Sequence, residues 1–160
     1  MNKEVMALPK KFIRYPDKGF EVGLAKDDMG PELGAFLAEC GMDFCGHALE
    51  WGRAYPYWVV AIGDDGDLWG ALNIAYSLPV GRLEALSYKR DLDKKIRIQI
   101  INELVVLGMA ALASSGSELV ACTIKGSDTV FLDWCERRGA QTLTRDGHVL
   151  LMRIPDGSVQ

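Results

Sequence analysis

Apolar positions along the chain recur with two different periods, and each change of period marks a change of element. Phe20, Val22 and Leu24 alternate, which predicts a short strand over Phe20 to Ala25. Asp27 and Asp28 then offer oxygens to a helix start, and Pro31 suits a first turn. Leu33, Phe36, Leu37 and Cys40 follow at i, i+3, i+4 and i+7, one buried helical face, with Gly41 placed to end it. Between residues 42 and 56 the signal weakens, and Phe44, Ala48 and Trp51 suggest a second short helix before Pro56.

Tyr57 to Ile62 is aromatic and β-branched, hence a strand. Asp64-Asp65-Gly66-Asp67 reads as a hairpin turn that returns the chain through Leu68 to Ala75. After Pro79 and Gly81, Leu83 to Tyr88 is a further strand. The longest element is a helix from Asp93 to Ser114. Ile96, Ile100, Leu104, Leu107 and Ala111 form its seam, and Ile101, Val105 and Leu112 widen it. Glu118 to Ile124 is a strand whose Leu-Val-Ala-Cys run predicts burial on both faces. Asp128 to Arg138 is a helix stopped by Gly139, and Gln141 to Leu143 pairs with His148 to Ile154 across Arg145-Asp146-Gly147. The unit from Leu83 to Ile124 is strand, helix, strand, which demands a right-handed crossover between parallel neighbours. The fold class is therefore α/β, with a mixed sheet of about seven strands flanked by about four helices.

Composition narrows what this sheet can serve. The 160 residues suit one domain, with an arm over residues 1–19 and the domain proper over 20–160. Pro9 and Pro16 break up the arm, and five basic residues against two acidic ones give it +3, so the total of −4 leaves −7 for the rest. Such an arm is expected to dock on another protein subunit. An acidic whole argues against nucleic acid as the main partner, since phosphates need a basic face. No run approaches the ~18 consecutive apolar residues of a membrane span, and the first residues lack an apolar signal core, so a cytoplasmic protein is expected. Cys40, Cys45, Cys122 and Cys135 are then expected as free thiols. Cys40, Cys45 and His47 lack a fourth metal ligand and read as small buried groups.

The element order resembles the GNAT (N-acetyltransferase) superfamily over nearly all of residues 20 to 154. The most specific match is local. Members commonly carry an Asn, then an amphipathic helix ending Tyr-Glu-Lys-x-Gly-Phe, then a hairpin. Here Asp128 stands for the Asn and Cys135-Glu136-Arg137-Arg138-Gly139-Ala140 for the ending. The resemblance implies that Leu86, Ser87 and Tyr88, with Lys94, Lys95 and Arg97, would bind acetyl-CoA, and that Cys135 would stand in for the Tyr that protonates the departing thiolate. Active members carry Arg/Gln-x-x-Gly-x-Gly/Ala before the long helix, where glycines admit the cofactor's pyrophosphate to backbone N–H groups. In Leu92-Asp93-Lys94-Lys95-Ile96-Arg97, Lys95 and Arg97 take the two glycine positions. No cofactor, or weak acetyl-CoA binding, is expected. A narrower resemblance is to GNAT-like internal virion proteins of short-tailed phages, which share a basic, glycine-free loop and an ending like Thr144-Arg145-Asp146-Gly147.

Other residues point less sharply. Arg82, Lys89, Arg90, Lys94, Lys95 and Arg97 could hold phosphates by side chains, or form a solvated helix face with Asp91 or Asp93 as cap. Glu84, Asp64 and Asp65 are acids with nothing to choose among them as a base. His47 and His148 read as structural, and Trp51, Tyr55, Tyr57 and Trp58 as core or as a pocket wall. The expected function is a GNAT-fold structural or interaction module with acetyl transfer lost or weakened, of the virion kind the narrower resemblance implies. The alternatives are an active acetyl-CoA-dependent N-acetyltransferase with a divergent phosphate loop, and a small-molecule sensor.

Overall fold

The computed structural model describes residues 12–42, 57–124, 129–142 and 148–153. Cys45, His47, the suggested helix at Phe44, Ala48 and Trp51, Asp128 and the turn at Thr144 to Gly147 lie outside the described residues.

Eight strands form one sheet: β1 (Ile13–Tyr15), β2 (Phe20–Leu24), β3 (Trp58–Gly63), β4 (Leu68–Ala75), β5 (Val80–Tyr88), β6 (Leu119–Ile124), β7 (Gln141–Thr142) and β8 (His148–Arg153). Their order across the sheet is β1-β2-β3-β4-β5-β6-β8-β7. From β1 to β5 every pairing is antiparallel, β5 and β6 are parallel, and β8 closes antiparallel on β6. The expected parallel pair separated by the long helix is therefore present. Three α-helices are described: α1 (Gly30–Glu39), α2 (Lys94–Ser114) and α3 (Thr129–Glu136).

The two faces of the sheet hold separate cores, which follows from strand alternation. In β3, Val59 and Ala61 face one way, with Leu72, Ile74 and Leu83, and are covered by Ile100, Leu104, Val105 and Leu112 of α2 and by Phe131 and Cys135 of α3. Trp58 and Val60 face the other way, with Leu68 and Ala71, under Leu33, Phe36 and Leu37 of α1. By length and composition α2 could cross a membrane, but Ile100, Leu104, Val105, Ala111 and Leu112 are fully buried, as a core helix requires. Gly70 lets α2 approach, since a Cβ there would stand 2.7 Å from Ile100 Cγ2.

Two details differ from the sequence expectation. Asp27 and Asp28 do not cap α1 through their side chains; they open a 3-10 turn, Asp27–Met29, that runs into the helix. The boundary expected after residue 19 falls inside a hairpin. Ile13, Arg14 and Tyr15 pair with Val22, Glu21 and Phe20, Phe12 packs beside the α1 core, and the Tyr15 ring stacks on Phe20 with centroids 5.2 Å apart. Tyr15 Oη donates to Glu103 Oε2 of α2 at 2.6 Å. Burial, and then the Glu103 carboxylate beside it, raises the phenol well above its ordinary range. The physical reason is that Phe12 and Tyr15 gain more from apolar cover than Pro16 costs at the start of a turn.

Deleting residues 1–18 is thus expected to lower the free energy of urea unfolding by at least ~1 kcal/mol, because the deleted segment includes two partly buried aromatics. Tyr15→Phe alone should cost about 1 kcal/mol. Chemical denaturation of the three proteins side by side checks both.

Candidate functional site

The parallel pairing of β5 with β6 runs from Val80↔Leu119 to Leu83↔Cys122 and goes no further, although β5 continues to Tyr88. The two strands part at that level, and the end of β5 becomes one wall of a cleft. On its other side β5 stays paired, with Ala71↔Ser87 and Gly70↔Tyr88, and the Lys89 N–H donates to the Trp69 carbonyl at 2.9 Å. An antiparallel ladder turns alternate peptide groups to opposite sides. With Lys89 and Ser87 committed to β4, the peptide groups of Leu86 and Tyr88 face the side that β6 has left. The register therefore places Leu86, Ser87 and Tyr88, all three named from the sequence, along the cleft wall.

A bulge makes this arrangement. The β4–β5 register shifts between Ala71 and Asn73, so Ala71 opposes Ser87 while Asn73 opposes Glu84. Two residues of β5, Ala85 and Leu86, therefore oppose the single Leu72. Ala85 takes φ +52°, the positive-φ residue other than glycine in the described chain. The extra residue resets the alternation. Leu83 packs in the α2 core and Ala85 against the α1 core, but Leu86 and Tyr88 return to the α2 side. Ser87 is buried, and its hydroxyl donates to the Ala85 carbonyl at 3.1 Å, bracing the bulge.

The start of α2 follows the end of β5 after a short connection, with Tyr88 the last residue of the strand and Lys94 the first of the helix. Asp93 is its N-cap, and the Asp93 carboxylate accepts from the Lys95 N–H at 2.8 Å. The protein's own anion thus stands where an incoming phosphate would seek free N–H groups. Of the basic residues named from the sequence, Arg82 pairs with Glu84 at 3.4 Å and Lys89 with Asp67 at 3.5 Å. Arg90, Lys94 and Lys95 are exposed. Arg97 is half-buried, and its Nε is buried without a hydrogen-bond partner among the described residues.

Cys135 lies apart from this wall. It is wholly buried, as is Cys122 of β6. The Cys135 thiol beside it, and then burial, drive Cys122 far above the ordinary thiol range. Cys135 is a packing group between α3 and β6 and does not reach solvent, so a thiol acid at this position is not available in the structure described. The reason is its place on α3, whose apolar face turns Phe131 and Cys135 into the core together. Cys40 does touch the cleft strand. At the end of α1, its thiol donates to the Tyr88 carbonyl at 3.8 Å, and burial pushes it up to about 11.

No protein-family model matches the chain, and no curated protein matches it. Solved structures do. A GNAT-family acetyltransferase from Staphylococcus aureus Mu50 superposes with a TM-score of 0.68 at 10% identity, over 85% of this chain and 99% of that one. PaiA N-acetyltransferase from Thermoplasma acidophilum, in complex with coenzyme A, gives 0.63 at 12%, over 84% and 98%. Diaminobutyrate acetyltransferase EctA from Paenibacillus lautus, with diaminobutyric acid and coenzyme A, gives 0.65 at 10%, over 88% and 98%. The chain has the fold of the GNAT acetyltransferases.

The bulge yields a test. An alanine at positive φ carries roughly 1 kcal/mol of strain that glycine lacks, while glycine costs a little more entropy on folding. Ala85→Gly should leave stability unchanged or raise it slightly, and Ala85→Val should lower it by more than ~1 kcal/mol. Urea melts of both variants check this, and equal losses for the two would count against a bulge at Ala85.

Proposed function

We propose that this chain is a GNAT-fold interaction module that keeps the cleft of an acetyltransferase but binds acetyl-CoA weakly, with acetyl transfer lost or strongly reduced. The observation that carries this reading is the start of α2. Asp93 caps it with a carboxylate, and Lys95 and Arg97 occupy the positions where glycines would let a pyrophosphate reach the backbone. An acetyl-CoA bound here would lay its amide-bearing arm beside Leu86, along the part of β5 that lies beyond its pairing with β6. Its phosphates would meet the side chains of Lys94, Lys95 and Arg97 in place of N–H groups. Side-chain capture is weaker, because flexible lysines lose rotamer freedom on binding. The wider role we propose is contact with other protein subunits, in an assembly such as a phage virion.

Active acetyl transfer is the second reading, favoured by one feature: bulge and splay are both intact, so a thioester arm still has a wall to lie against. The chemistry would be direct attack of an amine on the thioester carbonyl, with the departing thiolate protonated by water, since Cys135 is sealed in the core.

Calorimetric titration with acetyl-CoA separates the readings. A dissociation constant weaker than ~10 μM, about −7 kcal/mol, is expected, and low-micromolar or tighter binding would overturn the weakened-site reading. Whatever binding occurs should fall with salt and fall again in Lys94→Ala and Arg97→Ala.

A further inference from the structure

α2 carries almost no charge on the side that faces away from the sheet. From Ile98 to Ser114 the chain holds one charged residue, Glu103, and its carboxylate is taken by Tyr15 Oη. Ile98 and Val106 are 39% and 37% exposed. A helix on the surface of a domain normally turns charged groups to solvent there. Gln99, Asn102, Val106, Met109 and Ala113 follow one another at alternating steps of three and four, the spacing of a seam that packs on another helix. Val106 is exposed and the other four are half-buried.

The polar groups on this row make no demand on a ligand. Asn102 Oδ1 accepts from Arg138 Nη2 at 3.1 Å, and Asn102 Nδ2 donates to Glu103 Oε1 at 3.4 Å. Tyr15, Glu103, Asn102 and Arg138 thus form a band across the helix in which each group has a partner. Beyond Asn102 the row is apolar to its end, so a second helix laid along it would leave no polar side chain of the band unpaired.

The two ends of α2 indicate which helix fits. Behind the Asp93 cap, the first turn holds Lys94 and Lys95 and no acid, and the last turn holds no basic residue. Both ends run against the helix dipole, which favours acids at the start and bases at the finish. Lys94 and Lys95 are exposed, and so is Glu118, just past the helix. An antiparallel copy of the same helix corrects both ends at once, since each brings its lysines to the other's carbonyl end.

We infer that the outer side of α2 is the surface through which two copies of this chain associate, helix against antiparallel helix. A two-fold axis beside Val106 and Met109 sets the apolar halves of the two rows together. It also sets each Asn102 against the small Ala113 of the second copy, and Lys94 and Lys95 beside its last carbonyls and Glu118. The row from Lys95 to Gly116 is about 32 Å long at roughly 1.5 Å per residue. One helix wide, it lies at the small end of interfaces that associate, so a weak dimer with a Kd on the order of 100 μM is expected. This surface lies outside the cleft, and the inference stands whether or not acetyl-CoA binds.

The test is sedimentation equilibrium of the full chain from about 10 μM to about 1 mM. A monomer–dimer equilibrium is expected. Val106→Arg keeps a good helix former at an exposed position but puts a charge in the seam, and should weaken the dimer about tenfold or more. Lys95→Glu should weaken it about threefold, because the acid then faces the second copy's carbonyl end. Thermal melts of Val106→Arg and wild type at about 5 μM, where both are monomeric, should coincide. A monomer at every concentration would overturn the inference. An earlier melt of Val106→Arg alongside it would mean that a segment of this chain covers the row instead. A dimer as tight in Val106→Arg as in wild type would place association elsewhere. An equal or tighter dimer in Lys95→Glu would overturn the antiparallel arrangement, and this variant still decides should Val106→Arg fold poorly.

Discussion

The close approach of α2 to strands β4 and β5 is the constraint on which the rest of the architecture depends. Three glycines make it possible. A Cβ at Gly70 would stand 2.7 Å from Ile100, one at Gly81 2.5 Å from Leu112, and one at Gly108 on the helix itself 2.9 Å from Leu83. Filling such a contact typically costs 1–3 kcal/mol, since a packed core yields only by moving side chains off their rotamers. With α2 held this tightly, its first residue must follow closely on the end of β5. The connection from Tyr88 to Lys94 is short for that reason, and the basic residues it carries are gathered at one end of the cleft.

The bulge follows from the same packing. Without it, strict alternation would put Ala85 on the α2 side with Leu83, and Leu86 on the α1 side. The single extra residue moves Leu86 and Tyr88 back to the α2 side, where both pack, partly buried, against the core. The cost is one alanine at positive φ, on the order of 1–3 kcal/mol of strain. Partial burial of two large side chains offsets a cost of that order. The same shift leaves Glu84 and Ala85 together on the α1 side and aims the peptide groups of Leu86 and Tyr88 into the gap beside β6. Packing and site geometry are thus two consequences of one irregularity.

Much of this fold was legible in the sequence because its period changes are clean. Of the seam Ile96, Ile100, Leu104, Leu107 and Ala111, all but the half-buried Ile96 are buried, and Gly66 and Gly139 take the positive φ that their turns predicted. A cap at Asp91 or Asp93 was also readable, since an acid just before an apolar-periodic run has few other uses, and the structure selects Asp93. What stayed hidden has physical causes. Three residues of β1 are too few to show a period, and Pro16 and the flanking charges read as loop. The bulge left no trace, because Ala85 is an ordinary strand residue by composition and only the register of its neighbour reveals it. Cys135 on its amphipathic helix could be read as packed core, but that it shares the core with Cys122, thirteen positions back on another element, is a contact that spacing does not show.

An intact cleft is weak testimony for catalysis in this molecule. Were the bulge and splay maintained only for a cofactor, they would be free to relax in a chain that bound none. They are not free, because the bulge seats Leu86 and Tyr88 under α2, and removing it would expose them or leave a cavity. Cleft shape is therefore preserved by the folding energetics of the sheet. The N-terminus of α2 is under no such restraint. Lys94 and Lys95 in its first turn are exposed, and a side chain in place of glycine at position 95 costs little in stability, while Arg97 is half-buried with its Nε unpartnered among the described residues. Indeed, a capping carboxylate at Asp93 and side chains at the two glycine positions make the helix start more secure than free N–H groups would. A protein of this fold released from cofactor binding would drift in this direction, with its cleft held in place and its phosphate end settled for stability. The two ends of the site thus answer to different forces, and only the α2 end reports on whether a cofactor still has a hold on the chain.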